Sequence, residues 1–178
     1  MKRPLFYLVF LLWAGTAYSQ HILTYQSYAK GVAEQDTTTI QVIENAKCLK
    51  IRTEEKKLSD PIPGYAQSST YVDYVHDSVY SILDYSDGKF YTSYSLTDND
   101  VVFNEEGKEK LLGYDCTKYT TSINSNTIEV WMTESLGFEA TPMPGLGRLK
   151  GVMVRCMRNG SYITDLEKVK DQNTLSST

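Results

Sequence analysis

Histidine is scarce in this chain. His21 and His76 are the two it has, and that shortage excludes more functional classes than any motif supplies. An imidazole-based metal centre or a Ser-His-Asp triad has almost no material to work with. Cysteine numbers three, an odd count that forbids a complete set of internal bridges. Cys116 has Asp115 beside it, which disfavours the thiolate that a nucleophilic cysteine needs. Lysine and arginine total 18 against 22 acidic residues, and no basic cluster offers a footprint for a phosphate backbone, so a nucleic-acid partner is not expected. The one locally basic run, KIRTEEKK from Lys50 to Lys57, is interleaved with Glu54 and Glu55 and reads as a solvated strand end. No apolar run reaches the roughly 20 residues of a membrane span. Pro144-Gly145-Leu146-Gly147 lacks the Lys-Ser/Thr that would make it a phosphate loop. The pairs Asp98/Asp100 and Glu105/Glu106 lack the remaining oxygen ligands of a calcium loop. The expectation is a protein with no cofactor, no metal and no catalytic constellation.

What the chain does have begins with Lys2 and Arg3, an apolar stretch from Leu5 to Ala14, and small residues at Ala17-Tyr18-Ser19. This is the pattern of a cleavable signal peptide over residues 1–19, with the mature chain starting at Gln20. The first cysteine is Cys48, so no lipid-accepting cysteine follows the cleavage site, and a periplasmic or secreted protein is expected. Removing the leader leaves about 160 residues, the usual size of one domain. It also moves the net charge from −4 to about −6, since Lys2 and Arg3 are lost. A single domain over residues 20–170 and a disordered tail over 171–178 follow.

Tyr, Thr, Val and Ile dominate the rest, punctuated by turn dipeptides instead of helix caps, which predicts an all-β fold with little or no α-helix. Ten strands are expected: Ile22 to Tyr28, Thr38 to Ile43, Cys48 to Thr53, Tyr71 to His76, Val79 to Tyr85, Phe90 to Leu96, Lys110 to Ile123, Thr127 to Thr133, Leu149 to Met157 and Tyr162 to Val169. Short connections between them imply an antiparallel meander. Asp87-Gly88 and Asn159-Gly160 are tight-turn dipeptides, and Asn124-Ser125-Asn126 marks a third turn. Two segments should leave the sheet, because proline cannot donate to a ladder: Glu54 to Thr70, and Ser135 to Arg148 with Pro142, Pro144, Gly145 and Gly147. Loops of that length are often functional.

Alternation puts Ile128, Val130 and Met132 on one face of their strand and Trp131 with Glu129 on the other. It likewise sets Val152, Val154 and Cys156 against Met153 and Met157. Apolar residues on both faces suggest a sheet covered twice. Twelve of the 14 tyrosines lie beyond residue 19, and their amphipathic rings suit half-buried strand faces or the rim of an aromatic groove. Asn159-Gly160-Ser161 matches an N-glycosylation sequon. Asp36-Thr37-Thr38 and Asp77-Ser78-Val79 match a short bacterial O-glycosylation signal.

Residues 111–170 carry a specific order: Leu112-Gly113-Tyr114-Asp115-Cys116-Thr117-Lys118, then Val130-Trp131-Met132-Thr133-Glu134, then Pro144-Gly145-Leu146, then Gly151-Val152-Met153-Val154. This resembles the extracytoplasmic GLPGLI and DUF4412-type proteins of Bacteroidetes, with MPGLGRLKG standing where the namesake signature falls. The resemblance implies a curved antiparallel meander or half-barrel similar to LolA and LolB, the periplasmic lipoprotein carriers that hold acyl chains on a concave face beneath a lid. It places Ser135 to Arg148 as that lid and nominates Trp131, Leu136, Phe138, Met143, Leu146 and Met153 as ligand-binding residues. It also nominates a Cys116–Cys156 disulfide, since both cysteines lie in the segment that carries it; three unbridged thiols stand beside that pairing. Loop entropy does not choose between cysteine pairs, being about 4 kcal/mol for Cys116–Cys156 and about 5 for Cys48–Cys156. The partner implied is a lipid or other hydrophobic small molecule, or, if the sheet is filled by its own side chains, an envelope protein.

Overall fold

The computed structural model describes residues 19–31, 38–45, 48–55, 65–85, 88–96, 101–144 and 149–173. Eleven strands form one antiparallel sheet: β1 Ser19–Ala29, β2 Thr38–Asn45, β3 Cys48–Glu55, β4 Tyr65–Asp73, β5 Ser78–Tyr85, β6 Gly88–Ser95, β7 Asn104–Leu111, β8 Tyr114–Ile123, β9 Asn126–Thr133, β10 Val152–Arg158 and β11 Tyr162–Asn173. No α-helix occurs among the described residues. The strand order is β6-β5-β4-β3-β2-β1-β11-β10-β9-β8-β7, two meanders joined at the centre where the first and last strands pair.

That order forces the sheet to curl. Ten inter-strand gaps of about 4.8 Å would set the β6 and β7 edges roughly 48 Å apart in a flat sheet. The connection from Ser95 to Asn104 spans at most about 32 Å when fully extended. Leu96 and Phe103, at the two ends of this crossing, pack into the core, and the Thr121 hydroxyl donates to the Val102 carbonyl at 2.8 Å. The result is an open half-barrel with an inner and an outer face.

The inner face carries the main core, including Leu23, Tyr25, Val42, Leu49, Ile51, Val72, Val79, Val130, Met132 and Leu166. The outer face carries a small second cluster of Cys116, Trp131 and Val154. The expected split of β9, with Ile128, Val130 and Met132 opposite Trp131, is what the two clusters show. In β10 the expected alternation fails, because a bulge between Met153 and Arg155 sets two residues against one. Val152, Met153 and Cys156 therefore face the core, while Val154 joins Trp131 outside.

Several strand boundaries also move. The run Lys110 to Ile123 is two strands, split at Leu112 (φ 51°) and Gly113 (φ 89°), the paired left-handed residues of a tight hairpin turn. Charged Asn104–Leu111 does not read as a strand because it is a two-sided solvated edge, exposed at six of its eight residues. β4 begins at Tyr65, inside the segment expected to leave the sheet, and stops at Asp73. There the Asp73 carboxylate accepts the Val75 and His76 amides at 2.9 and 3.0 Å and turns the chain. β11 continues to Asn173 by pairing with Ser19, three residues into the expected tail. Residues 1–18, where the leader falls, Asp98/Asp100 and residues 174–178 lie outside the described residues.

Candidate functional site

Between β9 and β10 the chain leaves the sheet, as its prolines require, and folds back over the inner face. Leu136, Phe138 and Met143 pack against the main core, Ala140 is buried in it, and Met153 lies beneath with no exposed surface. Backbone bonds fix the loop to β10: the Ala140 amide donates to the Gly151 carbonyl at 3.1 Å, and the Met153 amide to the Ala140 carbonyl at 2.9 Å. Gly151 (φ 90°) presses so closely on Thr133 that a Cβ there would sit 2.8 Å from the Thr133 carbonyl carbon. Phe138 stacks flat on the His21 ring, with centroids 3.9 Å apart and planes 4° from parallel. His21 in turn meets Asp171 at 2.8 Å and Glu44 at 3.9 Å. Burial raises the Glu44 carboxyl above the usual carboxylate range, and His21 opposes that shift.

This loop fills one end of the half-barrel. Beside Leu149 and Pro144 only about 20 Å³ remains open. At the other end a cavity of about 480 Å³ persists, within the range of small-molecule sites. Its floor is Ile128, Cys156, Thr164 and Ser27 from β9, β10, β11 and β1, Met143 of the loop bounds it, and Arg158 stands at its rim. The floor is mainly apolar, and its two hydroxyls satisfy each other, Ser27 Oγ to Thr164 Oγ1 at 2.6 Å. Of the nominated ligand residues, Met143 reaches this cavity; Leu136, Phe138 and Met153 belong to the packed end. Trp131 does not join them. It lies on the outer face, donates its indole N–H to Glu109 and sits under the Lys118 ammonium, 5.1 Å from the ring centre. Leu146 lies outside the described residues.

The expected Cys116–Cys156 bridge is absent, and both thiols are free. Cys116 packs in the outer cluster and Cys156 in the inner core, so their side chains project from opposite faces of the sheet, which no disulfide geometry spans. Burial pushes the Cys156 thiol up to about 12 and raises Cys116 as well, which leaves both inert. Asn159 of the glycosylation sequon is held by its neighbours: its amide donates to Asn126 Oδ1 at 2.7 Å and its carbonyl oxygen accepts the Thr127 amide at 2.9 Å.

Sequence reasoning missed Arg158, Thr164 and Ser27 because they come from three strands and share no local motif. Period-2 alternation from Ile128 across its registered partner Arg158 could have found the first. Near the floor lies Tyr25, fully buried, whose hydroxyl has no hydrogen-bond partner among the described residues. Burial raises its pKa further. Replacing it by Phe removes an unsatisfied buried polar group, so Tyr25→Phe should raise stability by about 1 kcal/mol in urea unfolding. A loss of similar size would mean that the hydroxyl is bonded in solution.

A curled, open, all-β half-barrel with a folded-back loop and a residual cavity is the class these observations define. The chain belongs to the family described as N-glycanase peptide, N-terminal domain, whose model matches residues 23–178. It is similar to PNGF-II, solved in the C2 and P21 space groups, with 25% and 24% identity and a TM-score of 0.65 in each case. Those alignments cover 89% of this chain but 28% and 29% of PNGF-II, so the chain spans under a third of that protein. An uncharacterized conserved protein from Thermus thermophilus shares the fold at 11% identity and a TM-score of 0.51, over 89% of this chain and 81% of its own. None of these matches is described as a GLPGLI or DUF4412-type protein, and no curated protein matches the chain. No helix among the described residues is long and apolar enough to cross a membrane.

Proposed function

We propose that this is a non-enzymatic binding domain of the periplasm or cell exterior that holds an apolar small molecule in the inner-face cavity. The cavity of about 480 Å³ beside Met143 carries this reading: it is roomy and mainly apolar-floored. The free thiols lining the two faces are too deeply buried to act as nucleophiles, in keeping with a binding role. The family is described as an N-terminal domain and the match covers 28% of PNGF-II, in keeping with a binding domain carried by a longer protein.

Native mass spectrometry of the purified protein should show a bound apolar small molecule, and a solvatochromic naphthylamine dye should displace it stoichiometrically. Met143→Trp should place a ring in the cavity and weaken the dye about tenfold or more, with circular dichroism unchanged. A protein that neither carries a ligand nor binds the dye would sink the proposal. A second reading has its own observation. Phe90, Tyr91 and Tyr94 stand exposed on β6, an edge strand, with Tyr80 exposed beside them on β5. An edge strand with exposed aromatics is a surface for a protein partner. Recovery of a stoichiometric envelope protein in place of a small molecule would favour it.

A further inference from the structure

We infer that the ligand of the inner-face cavity is a monoanionic amphiphile, an alkyl chain ending in a carboxylate, with Arg158 as the residue that selects the head group. This rests on the cavity being the binding site and adds the chemistry of what enters it. Arg158 ends β10 on the same face as Ile128 and Tyr162, its registered partners across β9 and β11. Arg158, itself exposed, lines the cavity together with Ile128, Met143 and Cys156.

Two neighbouring cations are committed elsewhere. Arg155 grips Asp165 with two nitrogens, the second at 2.7 Å, and Lys118 is paired with Glu129. Asp165 is also occupied by the hydroxyl of Tyr28, a residue that lines the cavity, at 2.8 Å, and Arg155 and Asp165 register with Trp131 of the outer cluster. Arg158 has a different environment. Its contact is the face of Tyr162, 4.9 Å from the ring centre, which orients the planar group without neutralising it. Among the described residues that line the cavity none is acidic.

An amphiphile matches both halves of this arrangement. Its chain would cover the apolar floor, while its carboxylate would take paired N–H donors from the rim, a geometry that guanidinium offers and ammonium does not. A neutral alcohol of equal length would keep the first contact and lose the second. A cationic amphiphile would meet like charge at the rim.

Isothermal titration of the full chain with dodecanoate, dodecanol and dodecylammonium, below their aggregation concentrations, tests this directly. Dodecanoate should bind about tenfold more tightly than dodecanol, the difference expected of a charge-assisted hydrogen bond, and dodecylammonium most weakly. Arg158→Gln is an exposed substitution that should leave folding intact, keep dodecanol binding and erase the preference. Arg158→Lys should restore it in part. Equal binding of dodecanoate and dodecanol, or a preference that survives Arg158→Gln, would overturn the head-group assignment while leaving the apolar site standing. Binding of none of the three would overturn both.

Discussion

Gly151→Ala should cost about 3 kcal/mol or more of unfolding free energy, the largest loss expected from adding one methyl group anywhere in the described chain. Two penalties coincide there. The residue holds φ 90°, a left-handed conformation that costs a side-chain-bearing residue about 1–3 kcal/mol. Its missing Cβ would also drive into the Thr133 carbonyl, and backbone cannot rotate aside as a side chain can, so overpacking adds about 1–3 kcal/mol. Thr133 is itself buried and donates its hydroxyl to the Asp115 carbonyl at 2.9 Å, so relief by movement would disturb β8 as well. Gly137 in the same loop separates the two penalties: it has φ 77° but open space around its Cβ position. Gly137→Ala should therefore cost about 1 kcal/mol, from conformation alone. Urea unfolding of the two variants against the parent measures the gap. Equal losses would mean that the close approach of the loop to β9 is not what holds the folded-back segment down.

How far the sequence could carry this fold depends on whether the deciding contacts were local. β9 was legible because period-2 alternation continues unbroken through it, so the inner and outer faces of Ile128 to Met132 follow from counting. β10 was not, since a bulge has no signature in VMVRCMR and a single extra residue exchanges the faces of everything beyond it. The folded-back loop was readable from Pro142 and Pro144 as a departure from the sheet. Its anchor, Phe138 on His21, joins residues 117 positions apart and could not be read. Curvature likewise came from the order of strands, with β1 beside β11, a pairing no local pattern announces. The cavity fell in the same blind spot: its floor draws one residue from each of four strands, two of them from opposite ends of the chain. The family motifs at Leu112 to Val154 thus marked residues that build the sheet and its loop, and among the nominated residues that are described Met143 alone touches the cavity.

Trp131 shows what that difference means in an experiment. Trp131→Ala should lower stability by about 3–4 kcal/mol, the loss expected when a large buried aromatic is cut back. The indole is 6% exposed, packs with Cys116 and Val154, and is capped by Lys118. Its N–H also bridges to Glu109 on edge strand β7, across β8, so the substitution should loosen that edge. Because Glu109 is solvent-exposed, losing the indole strands no buried carboxylate, and the cost is chiefly packing. In a denaturant series the midpoint should fall, and hydrogen exchange should quicken first in β7 and β8. Dye or dodecanoate affinity of the remaining folded protein should stay within about twofold of the parent, since the ring lies on the face of the sheet away from the cavity. Met143→Trp should show the opposite pair of effects, weak binding with stability nearly kept. Should Trp131→Ala instead abolish binding at unchanged stability, the ligand would have to sit on the outer face, and the inner cavity would lose its claim to be the site.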